Sequence, residues 1–282
     1  MLTVTLMLSG PHRTAMLETA FDSIPIDSDA VSEVIVRHQG GPWQWGGALR
    51  ERILSTPKVR LLEFADRVDW AHSYNRTLDA VRTPWALLLP DDDFLVRSVA
   101  KRAFERALVE AGDCGLIAFG WHFLQRGRYL ASTDYRPALP ALIHHTPKFC
   151  ATLINVRHAR RLGGFSSVGG FVDTELFGRL VYEHDAAIVN THAAVYRLHE
   201  GQESNRLDSV YGPHVEHLLD TLGRYAKNEA ERAAFERQLR GFVYPRDSEL
   251  KKRLRALAYT LRSRPRPARE SSRFRMQKWS SA

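Results

Sequence analysis

Residues 75–93 read NRTLDAVRTPWALLLPDDD. The spacing of apolar and small residues predicts a helix over Ala71–Val81. Trp85–Leu89 is then an unbroken apolar run of strand length, as expected of a strand buried on both faces. Three carboxylates follow at once, Asp91, Asp92 and Asp93. Like charges this close repel one another unless a cation neutralises them. Hard oxygen ligands at a strand end suit Mg²⁺ or Mn²⁺, which keeps several waters and shares the rest of its shell with a diphosphate. Such a cation stabilises negative charge leaving on a phosphate. The plainer alternative is that one aspartate caps the helix beginning near Leu95 and the others are solvated.

Outward from this stretch, strands and helices alternate. Thr3–Leu8, Glu33–Val36 and Val59–Phe64 are expected strands, Thr14–Ile24 and Ser98–Glu110 expected helices, and QGGPWQWGG (39–47) an expected loop. Strands separated by helices imply βαβ units and a mainly parallel sheet flanked by helices, an α/β fold. In such sheets the ligand lies beyond the carboxyl ends of the strands, here after Leu8, Val36 and Leu89. The second half is more mixed. Leu116–Phe123, Cys150–Val156 and Ala187–Leu198 read as strands and Val172–Tyr182 as a helix. Val156–Leu162 reads as a short helix ended by Gly163-Gly164, with further helices from about Gly212 to Gly241. There is no internal repeat.

Composition narrows the function. The chain has 282 residues, 44% of them hydrophobic and 26% charged, enough for a substantial core and unlike a disordered chain. No apolar run approaches the length of a membrane span, and MLTVTLMLSG reads as a first strand, not a signal peptide. Cys114 and Cys150 lack metal-ligand spacing and are too few for a disulfide framework, which suits a reducing cytoplasm. The sequon Asn75-Arg76-Thr77 therefore carries no weight. The formal charge of +8 sits at one end: Arg246–Ala282 holds twelve Lys/Arg against three Asp/Glu, leaving residues 1–245 at −1. A nucleic-acid-binding body is disfavoured, and no specific nucleic acid partner is expected. HExxH, G-x-S-x-G, a P-loop and a strand-linked GxGxxG are all absent, and His144-His145 lacks zincin spacing.

Five pieces in order resemble family 2 glycosyltransferases with a GT-A fold, covering roughly residues 3–205. Val4–Leu8 with His12-Arg13 resembles the family's first strand and turn, and Asn75–Asp93 its central block. Leu162-Gly163-Gly164-Phe165 is similar to the "GGF" acceptor-side turn. Asp173-Thr174-Glu175-Leu176-Phe177 is similar to the acidic helix start, and Tyr196-Arg197-Leu198-His199 to the closing "YR-x-H". The resemblance implies a GT-A, Rossmann-like domain over 1–205, which transfers a sugar from a nucleoside-diphosphate sugar with inversion. Asp92 is then the metal ligand, with Asp93 close behind and His199 a further metal or diphosphate ligand. Asp91 lies toward the ribose, Arg13 toward phosphate, and Asn75 on the donor side. His38 stands where the family has an aspartate that reads the base, and Pro90 replaces the first aspartate of many Asp-x-Asp-Asp versions.

An inverting transfer needs a base on the acceptor hydroxyl, opposite the leaving diphosphate. Asp173 matches the family's position for it, and capping its own helix is the alternative role. Trp43, Trp45 and Trp70 suit stacking on sugar rings or packing in the core. The implied acceptors are surface polysaccharides or lipid-linked glycans. Residues 206–245 form a helical region. In 246–282, Leu250, Leu254, Leu257 and Leu261 fall on one face among Lys and Arg, a basic amphipathic helix followed by a stretch without periodicity. Its readings are contact with an anionic membrane surface, docking on the body, or non-specific nucleic acid binding. Two rival functions are a non-catalytic nucleotide- or glycan-binding member of the fold and a metal-dependent nucleotidyltransferase.

Overall fold

A computed structural model describes residues 1–8, 14–41, 43, 46–133, 135–139, 142, 146–166, 171–202, 212–243 and 275–280. The quoted stretch folds as its pattern predicts. Helix α3 (Trp70–Ala80) starts on Asp69, whose carboxylate accepts the His72 amide at 3.0 Å, and strand β4 (Trp85–Pro90) is buried through Leu89. On one side of β4 the sheet continues through β1 (Leu2–Met7), β2 (Val31–Gln39) and β3 (Val59–Phe64), all parallel. Strands β1 and β4 are covered on both faces, so their apolar residues run on without alternation, while the edge strand β3 is only partly covered. Thr3 and Thr5, buried in β1, spend their hydroxyls on Thr83 and on the Leu87 carbonyl. Helices α1 (Thr14–Ser23) and α4 (Arg97–Glu110) flank this half, separated in sequence by the two-residue strand β5 (Phe94–Leu95) among others.

The second half completes a mixed sheet. In chain order come β6 (Leu116–Gln125), β7 (Arg128–Thr133), β8 (Thr152–Asn155), β9 (Ala186–Leu198) and β10 (Met276–Trp279). The sheet order is β10-β9-β6-β8-β4-β1-β2-β3, with β5 on β9 and β7 on β6. Antiparallel β8 separates the parallel β4 side from the parallel β6–β9 pair. Helix α5 (Val156–Arg161) follows β8, and α6 (Val172–His184) precedes β9. Helices α7 (Val215–Leu222) and α8 (Glu229–Val243) bury Leu218, Leu222, Phe235 and Leu239 in the same core. Among the described residues no helix is long and apolar enough to cross a membrane.

Four features depart from the sequence expectations. A helix, α2 (Gly47–Ser55), follows the Gly/Trp loop but buries only Leu49 and Ile53, too few for a visible stripe. Strand β2 runs to Gln39 instead of ending at Val36, because Arg37 and His38 are themselves buried. Strand β7 forms a hairpin with β6 around Arg126 and Gly127, both at positive φ (47° and 75°), as a two-residue turn of this hand requires. Finally, residues 276–279, expected to lack regular structure, add an antiparallel strand to β9, and the Trp279 ring meets Tyr182 edge-on at 5.4 Å. The expected amphipathic helix over 250–261 lies outside the described residues.

Candidate active site

Beyond the carboxyl ends of β1, β2 and β4 the three aspartates separate in role. The Asp91 amide continues the ladder to the Met7 carbonyl (3.1 Å), and the residue is fully buried. Its carboxylate lies within electrostatic reach of Arg37 and of the Tyr74 phenol. Asp92 is the least buried of the three, and one of its oxygens is 2.9 Å from His199 Nε2, just past the end of β9. This contact joins two sequence-distant members of the expected site. Asp93, expected at a metal beside Asp92, is turned the other way. It accepts the Arg197 amide of β9 at 3.0 Å and faces the Cys150 thiol. Burial, reinforced by the neighbouring Asp92 charge, pushes its carboxyl well above the usual range. Asp93 ties β4 to β9; it does not open toward a cation.

Asp173 sits in the first turn of α6, where Oδ1 accepts the Thr174 amide at 2.7 Å and the Thr174 hydroxyl at 3.3 Å. Burial raises its carboxyl above the ordinary value, while the Lys148 ammonium opposes the shift. That ammonium lies 5.2 Å from the centre of the Tyr196 ring. Tyr74 is the hub: its phenol, pushed up by burial, feels Arg37, Asp173, Asp92 and Asp91 together. Its ring stacks on Trp70 at 6.0 Å and leans on Phe149 and Phe165. Asp91, Asp92 and Asp173 thus group around a tyrosine that the sequence reading passed over, with His199 on Asp92. At helical spacing, Trp70 and Tyr74 read as a core stripe. Lys148, in a loop before β8, gave no pattern to find.

Asn75, expected on the donor side, is a clamp. Its amide nitrogen donates to the Phe165 carbonyl and its oxygen accepts the Phe165 amide, both at 2.8 Å. Both ends of the side chain are thereby spent on the turn after α5. Gly164, at φ +71°, lies so close that a Cβ would overlap Asn75 Oδ1. Behind the turn, Arg179 of α6 donates to the Leu162 and Gly164 carbonyls and pairs with Glu175 at 2.6 Å, all buried. His38 is buried with Nε2 2.8 Å from the Gly41 carbonyl, edge-on to Trp43 at 6.0 Å. Trp43 bonds the Gly46 carbonyl; Arg13, Trp45, His144 and His145 lie outside the described residues.

For a divalent cation, the donor set is a carboxylate and an imidazole, Asp92 and His199, already in contact. Among the described residues no three ligating side chains converge. A hexacoordinate ion that keeps waters and takes substrate phosphate oxygens needs only one or two protein ligands, and the pair fits that role.

No family model matches the sequence, and no curated protein matches it either. Solved structures do. The mannosyltransferase PcManGT from Pyrobaculum calidifontis, in complex with GDP-Man and Mn²⁺, aligns with a TM-score of 0.59 at 14% identity, over 92% of this chain and 79% of that one. Residues 1–349 of S. aureus TarS in complex with UDP-GlcNAc align with a TM-score of 0.60 at 10% identity, over 93% and 79%. TarS 1–349 in complex with UDP aligns at 0.58 and 10%, over 94% and 81%. At these identities the likeness is one of architecture, and this chain has the α/β fold of GT-A glycosyltransferases.

Proposed function

We propose that the protein is an inverting, metal-dependent glycosyltransferase of the family 2 kind, moving a sugar from a nucleoside-diphosphate sugar to a hydroxyl acceptor. The observation that carries this reading is the meeting of Asp92 and His199 at the carboxyl edge of the sheet, with Asp91 and Asp173 grouped around the same tyrosine. The structural neighbours support it, since one was captured with GDP-Man and Mn²⁺ and another with UDP-GlcNAc.

In this reading Asp92 and His199 hold Mg²⁺ or Mn²⁺, which neutralises the charge of the departing diphosphate. Asp91 faces the ribose, and His38 and Arg13 serve the nucleotide. The acceptor oxygen attacks the anomeric carbon, the bond from that carbon to the diphosphate oxygen breaks on the opposite face, and Asp173 takes the hydroxyl proton. The Thr174 bonds fall on Asp173 Oδ1 and leave Oδ2 for that proton. Its elevated pKa makes the carboxylate a stronger base than a solvated one, and the Lys148 charge opposes that rise. Residues 1–205 form the transferase body and 206–245 its helical buttress; of the basic segment 246–282, the part ahead of β10 contacts anionic lipid at the cytoplasmic membrane face while β10 itself belongs to the sheet. That placement suits a lipid-linked glycan or growing polysaccharide as acceptor.

The test is release of nucleoside diphosphate from a panel of sugar donors in the presence of Mn²⁺. Wild type should release it from one donor class, and Asp92→Asn should abolish turnover while the protein stays folded. Consumption of a nucleoside triphosphate with release of pyrophosphate would replace this reading with a nucleotidyltransferase. Glycan affinity unchanged in Asp92→Asn, without turnover in wild type, would replace it with a binding module.

A further inference from the structure

Arg37 is an anomaly in this fold. It is fully buried near the end of β2, yet none of its three guanidinium nitrogens has a hydrogen-bond partner among the described residues. Buried polar groups are almost always bonded, and a buried cation with five unsatisfied donors is costly. Burial holds its pKa down to about 10, so it is still charged at neutral pH, and the nearest groups to answer that charge are Tyr74 and Asp91. The side chain has been stripped of water without receiving an acceptor. A group whose donors are left open next to the proposed donor site is built for a ligand that brings the acceptors.

Position indicates which part of the ligand. Strand β2 is separated from β4 by β1 alone, so Arg37 lies two strand spacings, about 10 Å, from the Asp92 end of the sheet edge. Lys148 answers to Asp173, Cys150 and the Tyr196 ring, whereas the charges acting on Arg37 are those of Asp91 and Tyr74. With the diphosphate at Asp92 and the reacting sugar toward Asp173, the nucleoside extends toward β2. A guanidinium there offers only donors, in a planar fork that fits two adjacent acceptors.

Resting on the donor reading above, we infer that Arg37 selects the base of the nucleotide donor, favouring a base edge with two adjacent acceptors over uracil or thymine. Guanine presents such an edge in N7 and O6, and cytosine in O2 and N3. Uracil and thymine place an N–H donor between their two carbonyls, which faces the fork with a like group. Adenine pairs an acceptor with a donor.

The experiment is calorimetric titration of the full chain, with Mn²⁺, by GDP, CDP, UDP and dTDP. GDP or CDP should bind about tenfold or more tightly than UDP and dTDP, the tighter of the two naming the base. Arg37→Met should erase that preference and leave UDP binding within about twofold of wild type. UDP or dTDP binding as tightly as GDP and CDP overturns the inference. So does an equal loss for all four nucleotides in Arg37→Met, which would put the arginine on the diphosphate. A UDP-selective protein would leave the donor reading standing; binding of none of the four would remove both.

Discussion

Asp173 and Lys148 work against each other. Burial destabilises the carboxylate and the ammonium opposes this, leaving the carboxyl above its ordinary value in the base role proposed for it. Activity therefore needs the deprotonated form and is lost as pH falls through this elevated value, placing the acid limb of the rate profile above that of a solvated aspartate. Lys148→Met removes the opposing charge, and the acid limb should move to higher pH in a kcat/KM profile, with Lys148→Arg restoring it. Asp173→Asn should lower kcat by about 10²–10⁴-fold with little change in donor affinity. The same carboxyl has a linked effect on stability. Its raised folded-state pKa contributes stability that is complete below the unfolded value and lost as pH rises through the folded one.

At the scale of elements, the turn joining α5 to α6 is held from two sides. Asn75 of α3 grips Phe165 by both backbone groups, and Arg179 of α6 bridges the Leu162 and Gly164 carbonyls to buried Glu175. Phe165 in turn supports Tyr74 at 5.1 Å, so the turn sets the floor of the site. Gly164→Ala meets both an unfavourable φ and Asn75, and should cost about 2–4 kcal/mol in urea denaturation. Asn75→Ala leaves a buried amide and carbonyl without partners and should cost about 1–3 kcal/mol. Glu175→Ala strands the Arg179 charge and should cost about 3–5 kcal/mol. If activity survives in proportion to the folded fraction of each variant, these residues act through the turn and not on substrate.

For the whole molecule, the C-terminal end returns to the body. Met276–Trp279 covers the β9 edge. Covering a sheet edge removes a template for pairing with other chains. Deleting residues 275–282 should cost about 1–2 kcal/mol, mainly from lost Trp279 packing, and promote aggregation, measurable by thermal unfolding and light scattering. The membrane proposal predicts co-sedimentation with phosphatidylserine vesicles, weakening as salt is raised, and none with neutral phosphatidylcholine vesicles.

Much of this was written into local sequence. WALLL reads as a doubly buried strand, its neighbours alternate with helical runs, and Asp-Asp-Asp after it marks the edge that carries the proposed site, because periodicity and charge crowding act between residues close in the chain. Tertiary structure alone decided how those residues divide their work. Asp93 turns inward because β9, a hundred residues on, offers an amide; Asn75 becomes a clamp because Phe165 folds onto it; and His199 joins Asp92 through a strand order that puts β9 beside β5. Arg37 and His38 looked like the polar end of a strand, since nothing in their neighbours reveals that the chain buries them. Burial and long-range pairing are properties of the closed sheet, and they exist only once it has formed.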